Sequence, residues 1–192
     1  MRLVALRGHI VTDYEVWPDG TVLLGEGSIA DVSPGGSLVA EADEVHDHPE
    51  SLILPGFVDL QVNGAFGVDV ASESARLPEL SEALLSTGTT SYLPTVISSP
   101  EGLYEEVLPA IGAPTGSGAE VLGVHLEGPF ISLEKRGAHA AAHVLMPDAE
   151  LLAHLLDLDG GAARELDRCP VTAPRNSSTP SLSTPWQASA TN

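Results

Sequence analysis

Basic residues are scarce in this chain: eight Lys and Arg stand against 27 Asp and Glu, a formal net charge of -19. A surface this acidic argues against nucleic acid and anionic membranes as partners, because both need Lys or Arg to neutralise phosphate. An anionic small molecule would require a local basic pocket. Cysteine is also nearly missing, and Cys169 alone cannot form an internal disulfide. No apolar run approaches the roughly 18 to 20 residues of a membrane span. The N-terminal MRLVALRGHIVTD lacks the apolar core of a signal peptide. These absences lead us to expect a soluble, cytoplasmic protein. What is present is apolar material, 43% of a 192-residue chain, which is ample for a buried core.

The pattern along the chain predicts three regions. Residues 1–53 read as short strands, RLVALRGHIVT and TVLLGEGSIADVSP, divided by turns such as Pro18-Asp19-Gly20 and Pro34-Gly35-Gly36. From residue 54 the rhythm changes. GFVDLQVNG, a helical stretch near 76–86, TTSYLPTV, a helix near 101–110 and EVLGVHLEG alternate as in βαβ units with a parallel sheet. PDAELLAHLLDLDGGAARELDR then reads as one or two helices, broken at Gly160-Gly161. Residues 174–192 are rich in Ser, Thr and Pro, without apolar periodicity or acidic residues, and are expected to be disordered and non-native.

Chemistry gathers at the strand ends. A period of two aligns Asp59, Gln61 and Asn63 on one face of GFVDLQVNG and Val58, Leu60 and Val62 on the other, where helices can cover them. In EVLGVHLEG it aligns His125 with Glu127, against Leu122, Val124 and Leu126. Polar residues collecting at C-terminal strand ends are how a (β/α)8 barrel builds its active site.

The strings LPGFVDLQVNGAFGVDV (54–70), GTTSYLPTVISS (88–99) and GVHLEGPFISLEKRGAHAAAHV (123–144) closely resemble N-acetylglucosamine-6-phosphate deacetylases of the amidohydrolase superfamily. HLEGPF followed by KRGAH is specific, whereas PGFVD marks only the superfamily. The resemblance runs from about residue 1 to 173. It implies a small β-sandwich, of which residues 1–53 are the N-terminal part, joined to an α/β metal-dependent barrel begun by residues 54–173. It also implies N-acetylglucosamine 6-phosphate as substrate, hydrolysis to glucosamine 6-phosphate and acetate in amino-sugar catabolism, and a homo-oligomer. Carried over by motif, Glu127 is the metal ligand, and Ala138 and His139 line the sugar-phosphate site. Gln61 contacts substrate or a metal-bound water, with His125 and Asn63 beside the ligand. Where many amidohydrolases carry His-x-His, this chain has Gln61-Val62-Asn63. Neutral amides are poor ligands for a zinc-like ion, and the Gln-x-Asn version resembles the family branch that uses one metal rather than two, which implies one divalent metal at most.

Plainer readings stand beside these. Glu127 could cap a turn, His125 could be a satisfied core histidine, and Gln61 could be a polar residue of the barrel interior. Asn63-Gly64 could be a turn signal. Lys135 and Arg136 could attract phosphate or form a solvated pair. His46-Asp47-His48, in a polar, acidic stretch before the PGFVD strand, is expected to be a loop of surface histidines, and His143 and His154 are assigned to surface or helix. A (β/α)8 barrel needs about 200 to 250 residues, and about 120 follow Pro55 before the tail. The resemblance would require two further histidine ligands and a catalytic Asp, none with a candidate here, so binding of the metal is expected to be incomplete. Pro174-Arg175-Asn176-Ser177 stands where relatives carry a strand resembling VTLAPE, and we expect a truncation or frameshift there. The chain alone is then expected to be inactive. Two other readings are an amidohydrolase for a cyclic amide and a non-catalytic half-barrel interaction protein.

Overall fold

A computed structural model describes residues 2–111, 116–158 and 163–166. The expected tail at 174–192, Cys169 and the Gly160-Gly161 break lie outside the described residues. Two compact units divide between Phe57 and Val58.

The first unit is a four-stranded sheet of β1 (Leu3–Val11), β2 (Val16–Gly25), β3 (Ser28–Pro34) and β4 (Glu44–Ile53), in the order β3-β2-β1-β4. β1 pairs antiparallel with β2, β2 antiparallel with β3, and β1 parallel with β4. Ala5, Leu23 and Leu38 form its small core. The sequence reading put His46-Asp47-His48 in a loop, but they lie within β4. An edge strand takes its hydrogen bonds from one neighbour only. It therefore tolerates Pro49 and a run of charged, exposed side chains that would be costly in a central strand.

The second unit is α/β. β5 (Phe57–Val62) leads into a tight hairpin of β6 (Gly64–Ala65) and β7 (Val68–Asp69), which turns at Phe66 and Gly67, both with positive φ. Then come α1 (Leu77–Leu84), β8 (Thr89–Ile97), α2 (Glu101–Ile111), β9 (Glu120–Val121), β10 (Val124–Glu127), α3 (Ala149–Leu158) and β11 (Ala163–Leu166). The sheet order is β11-β10-β8-β5, with β9 paired to β8; β10 runs parallel to both β8 and β11.

The helices follow from the apolar spacing. Leu77, Leu80 and Leu84 in α1, and Tyr104, Val107, Leu108 and Ile111 in α2, recur at three- and four-residue steps and are buried. They meet Tyr92 and Val96 of β8 and Val124 and Leu126 of β10 in one core. Each fully buried aliphatic side chain contributes about 1.5–3 kcal/mol. The buried Ser81 hydroxyl and Tyr92 hydroxyl satisfy each other at 2.9 Å.

Two further expectations change. The stretch Ala163–Leu166, read as helix, is strand β11. Its residues favour helix locally, but pairing with β10 overrides that weak preference. Val58 and Leu60 were expected to cover helices, yet both are more than half exposed and only Val62 is buried, because β5 ends the described sheet.

Candidate metal and substrate site

Parallel pairing brings the C-terminal ends of β8 and β10 level. His125 stands opposite Thr95, Leu126 opposite Val96, and Glu127 opposite Ile97. Leu126 is driven into the core, so the two-residue period turns Glu127 to the other side. Its carboxylate accepts a hydrogen bond from Asn63 Nδ2 at 3.2 Å on Oε2, and Oε1 lies 3.4 Å from His139 Nε2. Gln61 donates a further bond. Partial burial pushes the Glu127 carboxyl up, but the bonds from Asn63, His139 and Gln61 outweigh it and hold the group below the ordinary 4.5. It is a carboxylate fixed by side-chain donors from two other parts of the chain.

His139 is buried, and a closed turn delivers it. Its backbone N–H donates to the Arg136 carbonyl at 3.1 Å, and the Arg136 guanidinium donates back to the His139 carbonyl. Arg136 is therefore not a freely solvated partner of Lys135. The imidazole Nδ1 meets both the Ser98 hydroxyl, at 2.8 Å, and the Ser98 backbone N–H, at 3.2 Å. Ser98 in turn requires Gly128. A Cβ at position 128, where φ is +99°, would lie 2.2 Å from Ser98 Oγ.

Tyr104 fixes the end of β8. Its hydroxyl accepts from Ser99 N–H at 3.0 Å and donates to the Ile97 carbonyl at 3.2 Å, and Ser99 Oγ donates to the same carbonyl at 2.8 Å. Burial pushes the Tyr104 phenol up to about 12 despite the bond from Ser99. His125 reaches past β8 to β5, with Nδ1 donating to the Leu60 carbonyl at 2.9 Å.

The structure thus brings Gln61, Asn63, Glu127 and His139 together. His125 lies two residues before Glu127 on β10, and Ala138 is exposed on the loop beside His139. His46 and His48 stack with ring centroids 6.4 Å apart on β4, in the other unit. His143 ends a short 3-10 turn, and His154 sits on α3. Among the described residues, the one group of three metal-type donors is Glu101 and Glu105 of α2 with His154 of α3, on helices rather than strand ends. Ser98, Tyr104 and the structural role of Arg136 were missed by sequence reasoning. The only signal for Ser98 and Arg136 was the motif text TVISS and RGAH itself, and Tyr104 lies outside both strings.

No family model matches the chain. It is 45% identical over 126 residues to the N-acetylglucosamine-6-phosphate deacetylase of Bos taurus, covering 62% of this chain and 31% of that protein. It is 32% identical over 168 residues to the one of Bacillus subtilis (strain 168), covering 84% and 42% respectively. The solved Pasteurella multocida deacetylase superposes with a TM-score of 0.76 at 27% identity, over 85% of this chain and 44% of that one. The chain therefore spans less than half the length of these relatives. In sequence and in fold, it is related over that part to the N-acetylglucosamine-6-phosphate deacetylases.

Proposed function

We propose that this chain carries part of the metal and substrate site of an N-acetylglucosamine-6-phosphate deacetylase. The α/β unit would be the opening portion of a (β/α)8 barrel and the first unit part of a β-sandwich. The reaction would be hydrolysis of N-acetylglucosamine 6-phosphate to glucosamine 6-phosphate and acetate, in the cytoplasm. One observation carries the reading: the Glu127 carboxylate, at a C-terminal strand end, is met by Asn63, Gln61 and His139 side chains from two other parts of the chain.

The donor set fits a divalent metal at one position. Glu127 would hold it, and Asn63 and Gln61 would orient the carboxylate. A divalent ion, when bound, polarises a water and the acetyl carbonyl. His139 would donate to a substrate oxygen, with Ala138 and Gln61 lining the same place. Zinc-type catalytic sites use three protein ligands. Among the described residues Glu127 belongs to no group of three metal-type donors, and the chain alone is not expected to turn over substrate.

The test has two arms. Purified chain with added Zn²⁺ or Co²⁺ and N-acetylglucosamine 6-phosphate should release no acetate above background, and measurable turnover would overturn the inactivity. Residues 58–158 exchanged into the Bacillus subtilis deacetylase should support acetate release that Glu127→Ala lowers at least about a hundredfold, in line with loss of a metal-site residue. An active chimera indifferent to Glu127→Ala would refute the site.

A further inference from the structure

We infer that Ser98 is a positioning residue that fixes the tautomer of His139, so that the imidazole presents Nε2–H, a hydrogen-bond donor, to the Glu127 site. The role as substrate donor rests on the reading above; the tautomer itself does not.

The assignment follows from which atoms can donate. The Ser98 backbone N–H points at His139 Nδ1 from 3.2 Å, and a backbone N–H can only donate. Nδ1 must therefore carry the lone pair. The Ser98 hydroxyl, 2.8 Å from the same nitrogen, then also donates to it. In a neutral imidazole the proton is left on Nε2, which faces Glu127 Oε1 at 3.4 Å. A carboxylate oxygen can only accept, so both ends of the ring agree.

The asymmetry of the two ends matters. The Nδ1 side is short, doubly contacted and buried, with Ser98 only 2% exposed. The Nε2 side is long for a hydrogen bond, so this proton can turn to a substrate oxygen at small cost. A ring locked in this tautomer donates through Nε2 and cannot offer that nitrogen to a metal. Serine, histidine and glutamate in line also suggest a nucleophilic triad. Burial of Ser98 beneath Gly128 rules that out, because no substrate carbonyl can reach its oxygen.

Three features hold Ser98 in place. Gly128 leaves room for its hydroxyl, Tyr104 and Ser99 clamp the Ile97 carbonyl just before it, and the turn from Arg136 delivers the imidazole from the other side. The strings TVISS, HLEGPF and KRGAH thus meet around one imidazole.

The experiment reads nitrogen chemical shifts of His139 in the full chain labelled with ¹⁵N-histidine, at pH 8 and without metal or substrate. The wild type should show an unprotonated Nδ1 and a protonated Nε2; the reverse pattern, or an averaged one, would overturn the proposal. Ser98→Ala keeps the backbone donor but loses the hydroxyl, and should lower the tautomer ratio about tenfold, the worth of one such bond. Ser98→Cys, with a weaker donor of similar shape, should fall between, and it serves as the second variant if Ser98→Ala does not fold. An unchanged ratio in whichever variant folds would refute the role of the hydroxyl. Because the shifts are read without substrate, a failed deacetylase reading would leave them intact, and a failed tautomer would leave Glu127-dependent acetate release in the chimera intact.

Discussion

β4 and β10 each carry ionisable side chains two residues apart, in different surroundings. On β4, His46 and His48 stack in parallel at an exposed sheet edge, and His46 Nε2 lies 3.0 Å from Glu44. On β10, His125 is buried and Glu127 is held by Asn63, Gln61 and His139. Spacing is the same in both. What differs is the number of converging elements. A lone edge strand offers water on most sides, whereas the end of β10 receives groups from β5 and from the 136–139 turn, with the end of β8 behind that turn. A donor set needs chain from several places, which a parallel sheet supplies at its C-terminal ends.

The largest expected effect is at Gly128. Gly128→Ala sets a Cβ into the Ser98 hydroxyl at a positive-φ position, and should cost about 2–5 kcal/mol by steric overlap and backbone strain. Urea unfolding measures it, and the His139 nitrogen shifts should change at the same time. Next is Tyr104→Phe, which leaves Ser99 N–H without its acceptor and should cost about 1–3 kcal/mol at pH 7. The Tyr104 phenol is raised in the folded state to about 12, from 10.0. Its stabilisation is therefore full below pH 10 and is lost as pH rises towards 12. Wild type and Tyr104→Phe should converge over that interval in denaturant midpoints. Glu127→Gln should cost about 1 kcal/mol at pH 7, because one acceptor oxygen becomes an amide facing donors. Glu127 is depressed, so its contribution exists above pH 4.5 and vanishes as pH falls through the lower folded value. The difference between variant and wild type should shrink on acidification. Smallest is the double change His46→Ala, His48→Ala, which should stay within about 0.5 kcal/mol as an exposed surface substitution. A loss comparable to that at Gly128 would break the contrast between the two strands.

Much of this was legible in the sequence. The alternation of strands and helices from residue 54 predicted β5, α1, β8 and α2, because each buries one periodic apolar face. The order of polar residues on β5 and β10 predicted that Asn63, Gln61 and Glu127 face one way. β4 was not legible, since an edge strand asks little of its side chains. β11 was not legible either, since Ala-Arg-Glu-Leu favours helix until β10 offers a ladder. Within the site, Ser98 could not be read as a partner of His139. The two are 41 residues apart, and only the convergence of β8 with the turn after β10 makes them touch.

The carbonyl of Ile97 gathers bonds from the Tyr104 hydroxyl and from Ser99. The segment between β8 and α2 therefore has a fixed length. Inserting or deleting one residue between 98 and 103 would rotate Tyr104 by about 100° around its helix axis and withdraw its oxygen from the strand. Natural length variation in this chain and its relatives should accordingly spare that short connection and accumulate in other loops, where no side chain measures the distance.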